Sequence, residues 1–166
     1  KGQAAAASHT GSLAGDDRVW VALSRQTGCV LVDTLDEFVD ALLAFQALTM
    51  RNDRATRQVA LFGNGGGTSV LATDFFYRCG LDIDPFNKET YSGLDALKLP
   101  PGTSITNPVD APVGTLQQEE GRIAEKILDV IYSNAKPDAV VMHLNLAAFV
   151  NRGPIDPLDN LITAAV

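Results

Sequence analysis

The chain has 166 residues, of which 46% are hydrophobic and 20% charged, and its net charge is −7. An acidic chain without a basic cluster lacks the electrostatic footprint of a nucleic-acid-binding protein. No apolar run is long enough to span a bilayer, so we expect no membrane partner. The chain begins without Met and without a secretory signal, which favours a piece of a longer polypeptide.

The two cysteines, Cys29 and Cys79, stand far apart, with no CxxC spacing and no histidine beside them. This usage is typical of buried free thiols in a reducing compartment and not of a metal site. We therefore expect a cytoplasmic protein with no metal bound by this chain.

The stretch 4–15, AAAASHTGSLAG, surrounds His9 with small residues. Small residues let a loop move and let its backbone approach a ligand, and a neutral imidazole is nucleophilic near neutral pH. Composition alone leaves two interpretations open. The stretch is either a flexible Ala-rich segment with a solvated histidine or a loop that presents His9 for chemistry.

Strand and helix patterns alternate along the rest of the chain. We predict helices over 16–26, 34–48, 70–79, 89–97, 115–133 and 156–166, and strands over 29–32, 58–62, 81–83 and 138–144, with a possible short strand within 98–105. The polar run 51–57 predicts a linker and a domain boundary. The fold class is therefore α/β, with a doubly wound, mostly parallel sheet of flavodoxin or Rossmann type.

A glycine-rich turn, residues 63–69, joins a predicted strand to a predicted helix. It has neither the Lys of a Walker A loop nor the spacing of a dinucleotide fingerprint. The amides of Gly65, Gly66, Gly67 and Thr68 would meet at the start of the helix, where they could bind an anion. A tight strand-to-helix turn that binds nothing remains the alternative.

The motif NPVD, residues 107–110, is a second candidate, because ligands of open α/β sheets bind beside strand ends next to a first glycine turn. Its alternative is an Asx turn in which Asp110 caps the next segment. His143 lies inside an apolar strand pattern and is predicted to be a satisfied core or edge histidine.

Three strings together carry a family resemblance: 8–15 (SHTGSLAG), 63–83 (GNGGGTSVLATDFFYRCGLDI) and NPVD. They resemble the ADP-forming (NDP-forming) acyl-CoA synthetases, relatives of succinyl-CoA synthetase. The likeness departs from that family at Gly63, where Thr is usual, and at Thr68, where Pro is usual. It implies that residues 1–50 are the tail of the His-bearing ligase-CoA subdomain and that 51–166 are a flavodoxin-like ligase-CoA subdomain, truncated at its C-terminus.

The resemblance also implies an activity, the reversible conversion of acyl-CoA, ADP and phosphate to acid, ATP and CoA. His9 would carry the phosphoryl group, the glycine turn would hold it, and six residues would line the site: Ser8, Thr10, Gly11, Asn64, Asn107 and Asp110. CoA, ADP or ATP, phosphate and Mg would be substrates or ions of the intact enzyme, with no cofactor bound tightly by this chain. The partners would be a CoA-binding Rossmann domain and an ATP-grasp domain, without which the chain is inactive.

Two other functions stay open at this point. One is a synthetase-like regulatory module of a protein acetyltransferase, and the other is a non-catalytic flavodoxin-like binding domain with an inert His9 loop.

Overall fold

The computed structural model describes residues 16–49, 53–151 and 155–165. The predicted His9 loop, with Ser8, Thr10 and Gly11, lies outside these residues. The chain divides into two compact units, Lys1–Arg51 and Asn52–Val166.

In the first unit, two helices begin where their caps predict. Helix α1 spans Asp17–Thr27, and the Asp16 side chain accepts from the Arg18 amide. Helix α2 spans Leu35–Ala47 and carries the full capping box, in which Thr34 and Glu37 exchange hydrogen bonds. Gly28 ends α1 in the left-handed region. Both helix predictions are confirmed.

The predicted strand at 29–32 is wrong. These residues are extended without regular structure, and Val30 is 59% exposed. A strand needs a neighbouring strand to satisfy its amides, and residues 16–49 of this unit contain no other strand. The prediction of buried thiols is also wrong, because Cys29 lies in this unpaired segment and Cys79 lies just beyond an exposed helix end, so that both are exposed.

In the described part of the second unit, four strands form one sheet: β1 (Val59–Gly63), β2 (Ser104–Ile105), β3 (Val109–Asp110) and β4 (Ala139–His143). The order is β2–β3–β1–β4. Strand β1 is parallel to β3 and to β4, whereas β2 is antiparallel to β3. Every residue of β1 is buried, as expected for a central strand. The mostly parallel α/β sheet is confirmed.

Helices flank this sheet and cover its apolar residues. They are α3 (Gly66–Arg78), α4 (Lys88–Ala96), α5 (Val113–Leu116), α6 (Ile123–Val130), α7 (Leu146–Val150) and α8 (Asp156–Ala165). The core is built mainly from β1 and α6, where Phe62 and Ile127 are fully buried. Helix α3 begins at Gly66, four residues before its predicted start, so the glycine run belongs to its first turn.

The predicted helix 115–133 is interrupted. Between α5 and α6 lies a 3₁₀ turn in which Glu119 and Glu120 have left-handed backbone angles. Gly121 follows with φ +89°, and a Cβ there would collide with the Pro157 carbonyl. The contact with the start of α8 therefore breaks a segment whose local pattern is helical. The predicted strand 81–83 is reduced to one parallel bridge between Gln58 and Asp82, and α7 was not predicted.

Candidate functional site at the carboxyl end of the sheet

Three parallel strands end side by side and define the site. Gly63, the last residue of β1, is paired with Asp110 of β3 on one side and with His143 of β4 on the other. The glycine turn leaves β1 at this point and leads into α3. Ligands of open α/β sheets bind in this position, outside the carboxyl ends of the strands.

Two residues at the end of β1 hold the strand against β4. A Cβ on Gly63 would collide with the His143 carbonyl and lie 2.9 Å from the Cγ of its ring, so only glycine fits. Asn64 is 6% exposed, its amide donates to the His143 carbonyl at 3.2 Å, and its Oδ1 accepts from the Asn145 amide at 2.8 Å. The Asn64 side-chain oxygen, predicted to line the site, is thus used to join two loops.

The glycine turn presents the first amides of α3. Gly65 is the N-cap residue with φ +121°, and no side chain of the helix itself caps it. Gly66, Gly67 and Thr68 are exposed. Their amides precede the first intrahelical hydrogen bond, which runs from the Ser69 amide to the Gly65 carbonyl at 3.0 Å. This is the arrangement that the sequence predicts for the turn.

A carboxylate from β3 stands at the same helix end. Asp110 Oδ1 accepts from the Gly65 amide at 2.7 Å, and its Oδ2 lies 3.2 Å from where a Cβ on Gly66 would be. The alternative in which Asp110 caps the segment after it is wrong, because α5 begins after Pro112 with no side-chain cap. Asp110 instead places negative charge at the positive end of α3, where an incoming anion would have to share the position.

Ser69 and His143 form a hydrogen-bonded pair beside this turn. Ser69 Oγ lies 2.9 Å from His143 Nε2, and Ser69 is 4% exposed. Burial lowers the pKa of His143, while the nearby charge of Asp110 acts in the opposite direction. The partner agrees with the prediction of a satisfied histidine. However, the strand end brings His143 to the site, and sequence reasoning missed Ser69 altogether.

A cavity of about 370 Å³ opens along α3 from this cluster. Its lining residues come from the first half of α3 and from β2, β3 and the turn between them: Gly66, Ser69, Val70, Thr73, Asp74, Ser104, Thr106, Pro108 and Asp110. In the part of the chain that the structure describes, this lining combines hydroxyl groups with two carboxylates and includes no Lys or Arg. The cavity thus joins Asp110 and Ser69 in one surface.

Asn107 is not brought to this cluster, although it lies only three residues before Asp110. Its Oδ1 accepts from the Leu61 amide at 2.9 Å, and its Nδ2 donates to the carbonyls of Val59 (2.8 Å) and Asp84 (3.0 Å). The side chain therefore joins β1 to the loop before α4. Of the NPVD motif, Asp110 reaches the candidate site and Asn107 supports the sheet.

Among residues 16–49, 53–151 and 155–165, no group of three or more His, Cys, Asp or Glu side chains could hold a metal ion. Within the same residues, no helix is both long and apolar enough to cross a membrane.

The fold of this chain resembles that of solved structures. PH0766 from Pyrococcus horikoshii superposes with a TM-score of 0.71 at 22% identity, over 91% of this chain and 33% of that chain. The apo dinucleotide-forming acetyl-coenzyme A synthetase 1 of Ca. Korarchaeum cryptofilum also gives 0.71, at 20% identity, over 98% of this chain and 33% of that one. These likenesses agree with the α/β fold of the chain.

At the level of sequence, the chain is similar to CoA ligases. Residues 1–45 match the succinyl-CoA ligase like flavodoxin domain. The ADP-forming acetate–CoA ligase II subunit alpha of Pyrococcus furiosus is 29% identical over 98% of this chain and 34% of its own length. The ADP-forming acetate–CoA ligase of Methanocaldococcus jannaschii is 34% identical over 66% of this chain and 15% of its own length. The chain is thus similar in sequence to ADP-forming acetate–CoA ligases, and it spans about a third or less of the length of these relatives.

Proposed function

We propose that this chain is part of an enzyme that interconverts acyl-CoA, ADP and phosphate with acid, ATP and CoA through a phosphohistidine at His9. The observation that carries the proposal is the similarity, over 98% of the chain, to the alpha subunit of an ADP-forming acetate–CoA ligase. Other relatives bear similar names, including an ADP-forming 4-hydroxybutyrate–CoA ligase. This similarity favours the ligase over the acetyltransferase module and over the inert binding domain.

In the proposed reaction, an oxygen of phosphate attacks the thioester carbonyl of acyl-CoA and displaces the CoA thiolate, which gives an acyl phosphate. A neutral nitrogen of His9 then attacks the phosphorus of this acyl phosphate. The N–P bond forms as the P–O bond to the acyl group breaks, and the carboxylate leaves as the free acid. The phosphoryl group then passes from His9 to ADP, which restores the neutral imidazole and yields ATP. The small residues at 4–15 suit a loop that travels between the two positions.

The glycine turn is proposed to receive the phosphoryl group. The exposed amides of Gly66, Gly67 and Thr68 point out of the first turn of α3, where the helix dipole favours an anion. Support for a phosphate ligand in this kind of enzyme comes from a structural neighbour solved in complex with phosphate and ADP. Asp110 opposes an anion at the same helix end, so its charge must be offset by another group.

The rest of the enzyme is proposed to supply what this chain lacks. We assign residues 1–50 to a His-bearing subdomain and 51–166 to a flavodoxin-like subdomain. A CoA-binding Rossmann domain and an ATP-grasp domain complete the set, in the cytoplasm, with Mg²⁺ accompanying the nucleotide. The test is the product of the whole protein with acid, CoA and ATP. ADP and phosphate are expected, whereas AMP and pyrophosphate would contradict the proposal.

Replacing Gly66 by valine in the whole protein is expected to lower the rate of phosphohistidine formation about tenfold. The new side chain would meet Asp110 Oδ2, because even a Cβ at Gly66 lies 3.2 Å from that oxygen. Gly67→Val is the matched variant, since a Cβ at Gly67 has nothing within 4 Å. The rate of labelling by radioactive ATP is the measurement.

We expect Gly67→Val to be less affected than Gly66→Val, and CoA binding to stay near the wild-type level in both variants. If Gly66→Val protein is labelled as fast as wild type, the glycine turn does not bind the phosphoryl group and is only a structural turn. That result would not bear on the phosphocarrier role of His9.

A further inference from the structure

The cavity beside the glycine turn has an unbalanced charge. Asp74 and Asp110 are among its lining residues, and none of the described residues that line it is Lys or Arg. Against these described residues, an anionic ligand would face two carboxylates and no permanent cation, which is unfavourable at short range. If the cavity accepts the phosphoryl or carboxylate group of the proposed reaction, a nearby group that gains a positive charge would add to the glycine-turn amides and offset the two carboxylates.

The imidazole of His143 lies where it could gain this positive charge. Its Nε2 lies 2.9 Å from Ser69 Oγ, and Ser69 lines the cavity. The imidazole itself stands behind Ser69, half-buried at the end of β4. Gly63 makes room for it, because a Cβ there would lie 2.9 Å from the ring Cγ. Glycine at position 63 therefore admits the His143 ring beside β1.

On the basis of the proposed function, we propose that Ser69 and His143 form a binding pair for an anionic oxygen in this cavity. Ser69 Oγ donates its proton to the ligand oxygen, and His143 Nε2, protonated from solvent as the ligand binds, donates to Ser69 Oγ. Ser69 is the residue that contacts the ligand. His143 is a positioning residue that fixes the direction of the hydroxyl and supplies the missing positive charge.

The surroundings of His143 make this change of charge dependent on the ligand. Burial lowers its pKa, so the free site holds a neutral imidazole near pH 7. The titratable groups of the neighbouring elements are Asp110 on β3 and Asp74, Tyr77 and Arg78 on α3, whereas β1 and α7 carry none. The charge of Asp110 acts against this lowering of the pKa, and a second negative charge, on the ligand, acts in the same direction as Asp110. Binding therefore favours proton uptake.

The experiment is calorimetric titration of the whole protein near pH 7 with inorganic phosphate and, separately, with acetate. Each titration is run in two buffers with different ionisation enthalpies, so that the difference in heat reports protons taken up. The variants are His143→Gln, which keeps a hydrogen-bonding amide but cannot gain a charge, and Ser69→Ala. Ser92→Ala on α4 is the matched control, because Ser92 is exposed and lies outside the cavity lining.

Wild type and Ser92→Ala are expected to take up as much as ~1 proton per bound ligand. His143→Gln is expected to take up none at this site and to bind about tenfold more weakly, and Ser69→Ala is expected to bind similarly weakly. If proton uptake and the loss of affinity in the variants are seen with phosphate, the phosphoryl group is the ligand. If they are seen with acetate, the ligand is the carboxylate of the acid.

Equal proton uptake in wild type and in His143→Gln would overturn the proposal, as would the absence of binding of either anion to wild type. Thermal unfolding of each variant checks that the fold is intact. The titration involves no turnover, so a failure of the phosphocarrier role of His9 would be seen in a separate assay and would not mimic these results.

Discussion

Replacing His9 by alanine in the whole protein is expected to abolish acid-labile phosphate in the peptide that contains residue 9, after incubation with labelled ATP. His9 is the one side chain of SHTG with a nitrogen nucleophile. Phosphate on Ser8 or Thr10 would be an acid-stable ester, and Gly11 has no side chain. Acyl-CoA formation should fall on the order of a thousandfold or more, as expected when a covalent nucleophile is removed. Peptide mapping of the labelled protein is the measurement.

Mapping is needed because the chain has a second histidine, His143. Ser92→Ala serves as the control for handling and folding, and its peptide should be labelled like that of wild type. Wild-type labelling of the residue-9 peptide in His9→Ala protein would contradict the phosphocarrier role. If label is found only in the peptide that contains His143, the phosphoryl carrier is His143, at the end of β4.

The second large effect is expected on stability. Asn107→Ala should lower the free energy of unfolding of the second unit by about 3 kcal/mol. The substitution removes three hydrogen bonds, to the Leu61 amide and to the carbonyls of Val59 and Asp84. Leu61 is 0% exposed, so its amide would be left without water or another partner.

Chemical denaturation followed by circular dichroism measures this loss. Asn107→Asp keeps the acceptor for the Leu61 amide but loses both donors, and it should fall between wild type and Asn107→Ala. Asn151→Ala, at an exposed helix end, should change the free energy by less than about 0.5 kcal/mol. A cost for Asn107→Ala as small as that of Asn151→Ala would show that the bridge between β1 and the loop before α4 contributes little.

Local features of this fold could be predicted because they depend on residues close in the chain. The capping box of Thr34 and Glu37 spans three residues, and the left-handed Gly28 follows directly from the end of α1. The central strand β1 and the glycine turn after it were predicted for the same reason, since an apolar run followed by glycines specifies a strand and then a sharp turn.

Contacts between distant segments decided the rest. The run 29–32 has the composition of a strand but has no partner strand in the described part of its unit, so it stays unpaired. The helical pattern at 115–133 is broken where Gly121 meets Pro157, 36 residues away by number. Neither outcome is encoded in the periodicity of the segment itself, because tertiary contacts override local preference.

At the candidate site too, the sequence determined some features and tertiary contacts determined the others. By itself the sequence carried the family resemblance, through the SHTG, glycine-turn and NPVD strings, and determined the α/β class, through alternating strands and helices. Only the tertiary structure separated Asn107 from Asp110, by bonding one side chain to the backbone of β1 and the other to the start of α3. Only the structure joined Ser69 to His143, which lie 74 residues apart. The physical reason is that parallel strands distant in sequence end at one edge, where the pairing register chooses the side chains that meet.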